Sequence, residues 1–479
     1  MTLSIPRGNL AFNVTTLVVA QAVVKLINVA VSIVLVRYLG PQELGRYSYV
    51  LAFAYPFGAL ADFGLAAHAI REISRDRSRA TDVLAALQRS LLLLAGLGWA
   101  AMLVLAAAMG HDAPMLLCLA VAGSSSLVSV FLAPLLVSLT AREDLHVVSL
   151  YQVANSLVGS AATVVVLLWG GTTLALLAAA VLVNVVMLAG MYGAIGRPPV
   201  AAAVPVSAVR AMVRSALPFG LLLLGFALYY RVDMLMLQWL RGAEEVGQYA
   251  AAYRFLDALM PLAAAIGGPF YPRFSHLAAR DPDALRAVLD STWRPLFGFG
   301  LAVAVGTYYI AGPLTHAVFG EAFGTAAPLL KILIWGGIPL LLVNIPMQAL
   351  NAANLVLPLA GIYGIGLVVN VAANLVLIPV WGAVGAALAT VGCEWMVLIL
   401  VAGMVRKTFS LSLSCAGLWR YGVSAIMMAA ALLVFHGEGL AIQVFVGVAA
   451  YGISLIGFGY LRSADMRGMR LLWSGEQGK

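Results

Sequence analysis

The sequence predicts an all-α polytopic membrane protein of about fourteen transmembrane helices, arranged as two parallel six-helix lobes followed by a C-terminal helix pair. Hydrophobic residues make up 63% of the chain and charged residues only 10%, with a mean hydropathy of +0.99. Soluble proteins carry about 25% charged residues. The apolar residues form stretches of roughly 20 that do not alternate in polarity, which fits helices and excludes barrel strands. A short polar turn also recurs about two hundred residues apart, as internal repeats in transporters do.

Fourteen apolar stretches are long enough to cross a bilayer, and residues 420–435 form the shortest. The predicted spans are residues 13–36, 47–67, 87–109, 114–139, 147–168, 173–195, 216–239, 248–270, 295–312, 326–349, 358–378, 383–404, 420–435 and 440–461.

The basic residues orient these spans. Of the 28 Lys and Arg residues, 21 fall on the side that holds Arg7, three fall on the other side and four lie inside spans. Because cytoplasmic loops retain Lys and Arg, we expect a multi-pass protein of the cytoplasmic (inner) membrane with both termini in the cytoplasm. The net charge of +8 then reflects topology and attraction to anionic lipid.

The repeated turn reads LGPQELGRYSY at residues 39–49 and LRGAEEVGQYAA at residues 240–251. At an offset of 202, Glu43 aligns with Glu245 and Tyr47 with Tyr249. Six spans separate the copies, so both lie on the outer side and the halves are parallel repeats. We interpret the two turns as structural outer hinges.

Other segments fit the same repeat. The basic loop at 71–82 resembles residues 272–286, and the Trp-Gly-Gly of 169–171 resembles the Trp-Gly-Ala of 381–383. The predicted domains are an N-terminal lobe (1–195), a cytoplasmic linker (196–215), a C-terminal lobe (216–405), and an added helix pair with a cytoplasmic tail (406–479).

Ionisable residues inside a bilayer are costly and need a reason. Two groups of candidates follow. The cations and the polar stripe of span one are predicted to bind substrate: Lys25, Arg231, Arg254, Lys331, Gln21 and Asn28. The embedded carboxylates are predicted to couple an ion or to form internal ion pairs: Asp62, Asp233, Asp257 and Glu394.

Span one carries the clearest pattern. Gln21, Lys25, Asn28 and Ser32 lie on one helical stripe about 60° wide, and Lys25 is near the middle of the span. Two interpretations are open. Lys25 pairs with a carboxylate such as Glu394, or the stripe faces a water-filled cavity in which Lys25 attracts an anionic group; we favour the second.

Spans seven and eight hold four of the charges. Arg254 and Asp257 share a helix face and can pair, whereas Arg231 and Asp233 are about 200° apart and must face different neighbours. An ion-pair network that locks the two helices and a ligand site are equally compatible with this spacing. Asp62, near the inner end of span two, is either a cap or a titrating group.

Amide pairs occupy further spans, with Gln152 and Asn155 in span five and Asn370 and Asn374 in span eleven. Amides donate and accept hydrogen bonds, so these stripes suit hydroxyl-rich ligands, and they suit helix packing equally well.

The sequence shows no catalytic constellation, metal-ligand spacing or nucleotide-binding loop, so we predict that the protein is no enzyme and holds no cofactor or metal. Transport energy would then come from a proton or sodium gradient or from the substrate's own gradient.

Four stretches resemble the Wzx-like polysaccharide flippases of the multidrug/oligosaccharidyl-lipid/polysaccharide exporter superfamily. They are VRYLGPQELGRYSYVLAF (36–53), LADFGLAAHAIREISRD (60–76), YYRVDMLMLQWLRGAEEVGQYAAAYR (229–254) and PVWGAVGAALAT (379–390). The resemblance covers essentially the whole chain.

The resemblance implies export of a polyprenyl-diphosphate-linked oligosaccharide for O-antigen, capsule or exopolysaccharide synthesis. It also implies partnership with a polysaccharide polymerase and chain-length machinery, and makes Lys25, Arg231 and Arg254 candidates to face the diphosphate or an acidic glycan. Three alternatives remain: a drug/cation antiporter of the same superfamily, a peptidoglycan-precursor flippase, and a membrane polymerase, which the short outer loops disfavour.

Overall fold

The computed structural model describes residues 10–198, 204–267, 282–353, 355–410 and 415–460. Within these ranges the chain is helical and contains no β-strand, which confirms the all-α prediction. Ten helices of the described residues are long and apolar enough to cross a membrane. The chain folds into two compact units, Met1–Arg231 and Val232–Lys479.

The first unit contains seven α-helices within residues 10–198 and 204–231. They are α1 (Leu10–Asp62), α2 (Leu65–Arg75), α3 (Ala80–Ala108), α4 (Ala113–Ala141), α5 (Leu145–Leu168), α6 (Thr173–Ile195) and α7 (Val206–Tyr229).

The second unit contains nine helices in the described ranges. They are α8 (Val232–Arg241), α9 (Ala243–Gly267), α10 (Pro282–Phe319), α11 (Ala326–Leu333), α12 (Gly337–Ala352), α13 (Val356–Trp381), α14 (Ala383–Phe409), α15 (Leu418–Val434) and α16 (Leu440–Gly457).

Each copy of the repeated turn is formed at a glycine with a left-handed backbone. Helix α1 covers predicted spans one and two and kinks at Gly40, whose φ is 67°. Pro41 follows directly, at the first position of the new helical segment, where its missing N–H costs nothing. In the second copy α8 and α9 meet at Gly242, with φ of 90°. The two glycines align at the offset of 202 found in the sequence, so the repeat extends to backbone geometry that only glycine adopts readily.

Helix α7 begins inside the predicted linker and belongs to the first unit. Met212 and Ala216 are buried in a core cluster with Phe63 and residues of α2, α3 and α4. Gly220 lies so close to the Phe63 ring that a Cβ would stand 2.3 Å from it. Nearby, Arg89 Nη1 donates to the Val204 carbonyl at 2.8 Å. Residues 199–203 of the predicted linker, and most of the 272–286 loop, lie outside the described residues.

Predicted span seven consists of two helices. Helix α7 ends at Tyr229, and α8 begins at Val232 after a turn at Tyr230 and Arg231. Because α7 packs in the core of the first unit and α8 packs against α13 and α9 of the second, the helix breaks where the chain leaves one unit for the other. Predicted span ten is also interrupted, by a 3₁₀ turn at Ile334–Gly336 between α11 and α12.

The C-terminal helices α15 and α16 pair with each other and pack on α10. The Tyr421 ring fills the space beside Gly298, where a Cβ would lie 2.2 Å from it. Tyr451 Oη donates to the Gly298 carbonyl at 2.7 Å. This pair is the added helix pair that the sequence predicts.

Candidate functional site

The glutamates of the repeated turn cap equivalent helices, α6 in the first unit and α14 in the second, which correspond to predicted spans six and twelve. Glu245 Oε2 accepts from the Ala383 N–H at 2.8 Å, at the first residue of α14. Glu43 Oε2 accepts from the Thr173 hydroxyl at 2.8 Å and from its N–H at 3.4 Å, at the first residue of α6. A carboxylate at a helix N-terminus satisfies free N–H groups and the positive end of the helix dipole. Both glutamates therefore have structural roles.

The polar stripe of span one lies on an open side of α1. Gln21, Lys25 and Asn28 are all exposed. Lys25 makes no hydrogen bond or ion pair with any residue in the described ranges, so pairing with a carboxylate has no support there. An unpaired ammonium near the middle of a membrane helix is stable only beside water or an anion.

Helix α5 supplies a second polar edge next to this stripe. Ser156 Oγ donates to Asn28 Oδ1 at 3.0 Å. Asn155, beside Ser156 in sequence, has a buried Oδ1 without a hydrogen-bond partner in the described residues. The structure thus places the polar part of span five against the stripe of span one through the Ser156–Asn28 bond, a pairing that sequence spacing alone could not predict.

Arg231 occupies the turn that interrupts span seven. Its guanidinium carbon lies 5.8 Å from the ring centroid of Tyr55 and 5.1 Å from that of Tyr230. Aromatic faces stabilise a cation partly removed from water. Arg231 is half-buried, and it is the second embedded cation of the first unit, after Lys25.

Asp233, two residues later, faces a different environment, as the predicted helical angle requires. Its side chain is 2% exposed. Oδ1 accepts from the Met234 N–H at 2.7 Å, and Oδ2 accepts from the Tyr249 hydroxyl at 2.5 Å and the Thr390 hydroxyl at 3.2 Å. The carboxylate is therefore held by donors from α8, α9 and α14, at the N-terminal end of α8 where the helix dipole favours negative charge.

Helix α13 holds two buried amides, Asn370 at about the depth of Asp233 and Asn374 one helical turn further along. The side chain of Arg241 joins the ends of α8 and α13 through the carbonyls of Ile378 and Pro379, at 3.2 and 2.6 Å. Asp233 and Asn370 each precede that link by eight residues, about 12 Å along parallel helices. Asn374 donates to the Asn370 carbonyl at 2.9 Å. Its own Oδ1 has no hydrogen-bond partner in the described residues.

The remaining predicted carboxylates and cations of the second unit lie on α9, α11 and α14. Glu394 is 9% exposed and lies one turn after Thr390 on α14. Arg254 and Asp257 are half-buried on α9, and both interact with neighbouring residues. Lys331 Nζ lies 5.4 Å from the ring centroid of Tyr308.

Asp62 is the last residue of α1 and is exposed. Its carboxylate lies near the backbone N–H groups of Gly64 and Ala66 at the start of α2. This geometry matches the capping interpretation.

Sequence reasoning missed Tyr249 and Thr390 as partners of Asp233. Tyr249 stood in the repeated turn, where it counted only as a matching position. Thr390 is the last residue of the PVWGAVGAALAT stretch, and no sequence pattern indicated that its hydroxyl would bind a carboxylate. Ser156 was missed as well, because a serine in an apolar helix most often bonds its own backbone.

The sequence model of the family described as "Polysaccharide biosynthesis protein" matches residues 10–278, and that of the MatE family matches residues 218–376. The chain is 25% identical over 234 residues to the probable low-salt glycan biosynthesis flippase Agl15 of Haloferax volcanii, covering 47% of this chain and 48% of that protein. It is 27% identical over 246 residues to the probable flippase AglR of the same organism, covering 48% and 50%. The chain spans about half the length of these curated relatives.

Among solved structures, the fold is similar to that of the lipid II flippase MurJ in an inward closed conformation. The TM-score is 0.74 at 13% identity, covering 92% of this chain and 98% of that chain. An inward-facing multidrug resistance transporter of the MATE family has a TM-score of 0.62 at 17% identity, covering 81% and 94%. The family match covers more than half of the chain and agrees with the helical architecture and the parallel repeat. The protein thus belongs to the polysaccharide biosynthesis family of the multidrug/oligosaccharidyl-lipid/polysaccharide exporter superfamily, whose members are membrane transporters and flippases.

Proposed function

We propose that the protein flips a polyprenyl-diphosphate-linked oligosaccharide from the cytoplasmic to the outer leaflet of the cytoplasmic membrane, by alternating access, for synthesis of a surface polysaccharide. Both termini are placed in the cytoplasm by the distribution of basic residues. The polymerase and the chain-length machinery that extend the glycan are the proposed partners on the outer side.

One observation carries this proposal: Lys25 is exposed near the middle of the α1 segment that precedes the Gly40 kink, with no partner in the described residues. Pure lipid contact would leave its charge unsolvated at a cost of a few kcal/mol. A diphosphate headgroup supplies the opposite charge, and the adjoining amides and hydroxyls of α1 and α5 suit sugars. Arg231, stacked between Tyr55 and Tyr230, is the second proposed phosphate contact.

The polar cluster around Asp233 is the proposed coupling site for a proton or sodium ion. Oxygen atoms are the ligands that hard cations prefer. Here the Asp233 carboxylate accepts from the Tyr249 and Thr390 hydroxyls, and the Asn374 oxygen, without a partner in the described residues, stands on α13 about one helical turn from the depth of Asp233. Both interrupted spans, seven and ten, belong to or adjoin the second unit, and broken helices commonly accompany ion sites in transporters.

The MatE match over residues 218–376 favours a second candidate, a drug/cation antiporter. Such a protein needs acids to attract a cation, whereas the embedded groups here include as many cations as carboxylates. A peptidoglycan-precursor flippase shares the helical architecture, and it differs from the main proposal only in its cargo.

Deletion of the gene followed by mass spectrometry of lipid-linked sugars separates these candidates. We expect one intact oligosaccharide repeat unit to accumulate on its polyprenyl diphosphate, and its mass identifies the cargo. Accumulation of a peptidoglycan precursor instead supports the precursor flippase. Unchanged lipid pools with altered drug sensitivity support the antiporter and refute the proposal.

A further inference from the structure

We propose that α1 and α5 together form a subsite for the sugar next to the diphosphate, so that glycan selectivity resides in α5. This inference rests on the proposed function, and it assigns a ligand to residues of α5 that the phosphate contacts do not use. The α1–α5 seam is the set of polar side chains along the two helices: Gln21, Lys25 and Asn28 on α1, and Gln152, Asn155 and Ser156 on α5.

The register of the two helices brings these side chains to matching depths. Both are odd-numbered predicted spans and therefore run in the same direction. Ser156 donates to Asn28 at 3.0 Å, which fixes one level. Lys25 and Gln152 lie one helical turn earlier on their helices, about 5 Å closer to the inner side than the Ser156–Asn28 bond. The phosphate contact and the amide contacts thus lie about one sugar ring apart.

Simple helix packing does not account for the seam. Amides that join membrane helices are enclosed between them and bonded to each other. Gln21, Lys25 and Asn28 are instead exposed, and Gln152 and Asn155 are only half-buried. The buried Asn155 Oδ1 has no partner in the described residues. An acceptor left in that state is destabilising, so the Asn155 side chain gains a hydrogen bond when it turns toward a ligand hydroxyl.

The chemistry of the seam selects among sugars. It combines one cation with amides and a hydroxyl, which both donate and accept hydrogen bonds, and it contains no carboxylate. Beyond the charge that the diphosphate neutralises, the seam offers no second cation for an acidic sugar. The ligand it fits is an uncharged hexose or N-acetylhexosamine linked to the diphosphate.

The length of the seam agrees with that assignment. Gln21 and Asn28 are seven residues apart, about 10 Å along the axis. This length accommodates the phosphate group beside Lys25 and the ring attached to it. Sugars further along the glycan lie beyond the seam and are not selected by it.

The test compares two lipids on the purified full-length protein in lipid nanodiscs: a polyprenyl diphosphate, and the same lipid carrying one N-acetylhexosamine. We expect the wild type to bind the glycosylated lipid more tightly. The double variant Asn155→Leu/Ser156→Ala is expected to lose that preference, roughly tenfold in Kd for two hydrogen bonds, with binding of the bare diphosphate unchanged. Gln152→Leu, tested separately, is expected to reduce the preference as well.

Ser149→Ala is the matched control on the same helix. The Ser149 hydroxyl is buried and bonds its own backbone at Leu145 at 2.8 Å, so its removal should leave both affinities unchanged. Thermal unfolding of every variant verifies that the helices remain packed.

The possible results distinguish a failure of the sugar subsite from a failure of the proposed flippase function. If the α5 variants weaken both lipids equally or neither, or if the wild type does not prefer the glycosylated lipid, the sugar subsite is wrong. Lys25→Gln is expected to weaken both lipids. If the wild type binds the diphosphate lipid no better than the corresponding uncharged polyprenol, the proposed function itself fails.

Discussion

Replacing Glu245 by Ala should loosen the start of α14 while leaving the rest of the second unit folded. The Glu245 carboxylate accepts from the Ala383 N–H at 2.8 Å, and Gly382 stands so close that a Cβ would lie 2.4 Å from it. Loss of a helix cap costs about 1 kcal/mol, and loss of the negative charge beside the helix dipole adds about 0.5 kcal/mol. We therefore expect a local destabilisation of about 1.5 kcal/mol, which is roughly tenfold in an opening equilibrium.

Hydrogen exchange followed by mass spectrometry measures this change directly. Amides in the first turn of α14 should exchange roughly tenfold faster in Glu245→Ala, and amides near its C-terminal end should not change. Glu244→Ala is the matched control. Glu244 is exposed and lies in the same first turn of α9, so its loss removes the same charge from α9 without removing the bond to Ala383.

The repeat supplies a second copy of the experiment. Glu43→Ala should produce the same acceleration at the first turn of α6, because Glu43 holds the Thr173 hydroxyl and N–H. The exposed Arg46 contact of Glu43 at 2.8 Å adds at most a fraction of a kcal/mol. Equal effects of Glu244→Ala and Glu245→Ala, or no change at α14, would refute the capping argument.

Three further predictions concern transport and pH. Lys25→Gln should reduce flipping of the glycan lipid at least tenfold in a vesicle assay, and Lys25→Arg should retain much of it, because the argument depends on charge; equal loss in both would point to packing. Asp233→Asn should abolish the dependence of transport on a proton or sodium gradient, whereas the control Glu321→Gln, at an exposed position, should not. If transport by Asp233→Asn still depended on the gradient, Asp233 would be excluded as the coupling group. Burial lowers the pKa of His111, and the nearby Asp112 opposes this effect more weakly. The stabilising contact of His111 with Tyr49 at 2.6 Å should therefore be fully present above the unfolded pKa of about 6.5. It should be lost as the pH falls through the lower pKa of the folded protein. An NMR titration that gave a His111 pKa above that of an unfolded peptide would contradict this.

The repeated turn shows how far sequence reasoning reached. The match of Glu43 with Glu245 predicted two equivalent outer turns, and the structure adds that the two carboxylates cap α6 and α14, the helices of predicted spans six and twelve. The capped partners, Thr173 and Ala383, are 130 and 138 residues away along the chain. No local sequence pattern predicts contacts between residues so far apart along the chain.

The site residues divide in the same way. The stripe of Gln21, Lys25 and Asn28 was visible from its spacing, because helical periodicity is a local property. Its neighbour across the seam, Ser156, could not be identified from the sequence, because many polar residues on other spans could equally have been the partner of Asn28. Asp233 stood out as a buried carboxylate, but its partners Tyr249 and Thr390 come from two other helices.

The sequence by itself determined the membrane environment, the all-α class, the orientation expected in the membrane and the two-fold repeat. Each follows from composition, from the length of apolar runs or from the sidedness of charge, which act along the chain and need no knowledge of neighbours. Only the tertiary structure decided where span seven breaks, which unit α7 joins, and which polar groups meet in the α1–α5 seam and around Asp233. Those outcomes depend on packing and hydrogen bonds between helices far apart in sequence. The apolar sequence of a helix does not specify which other helix it packs against.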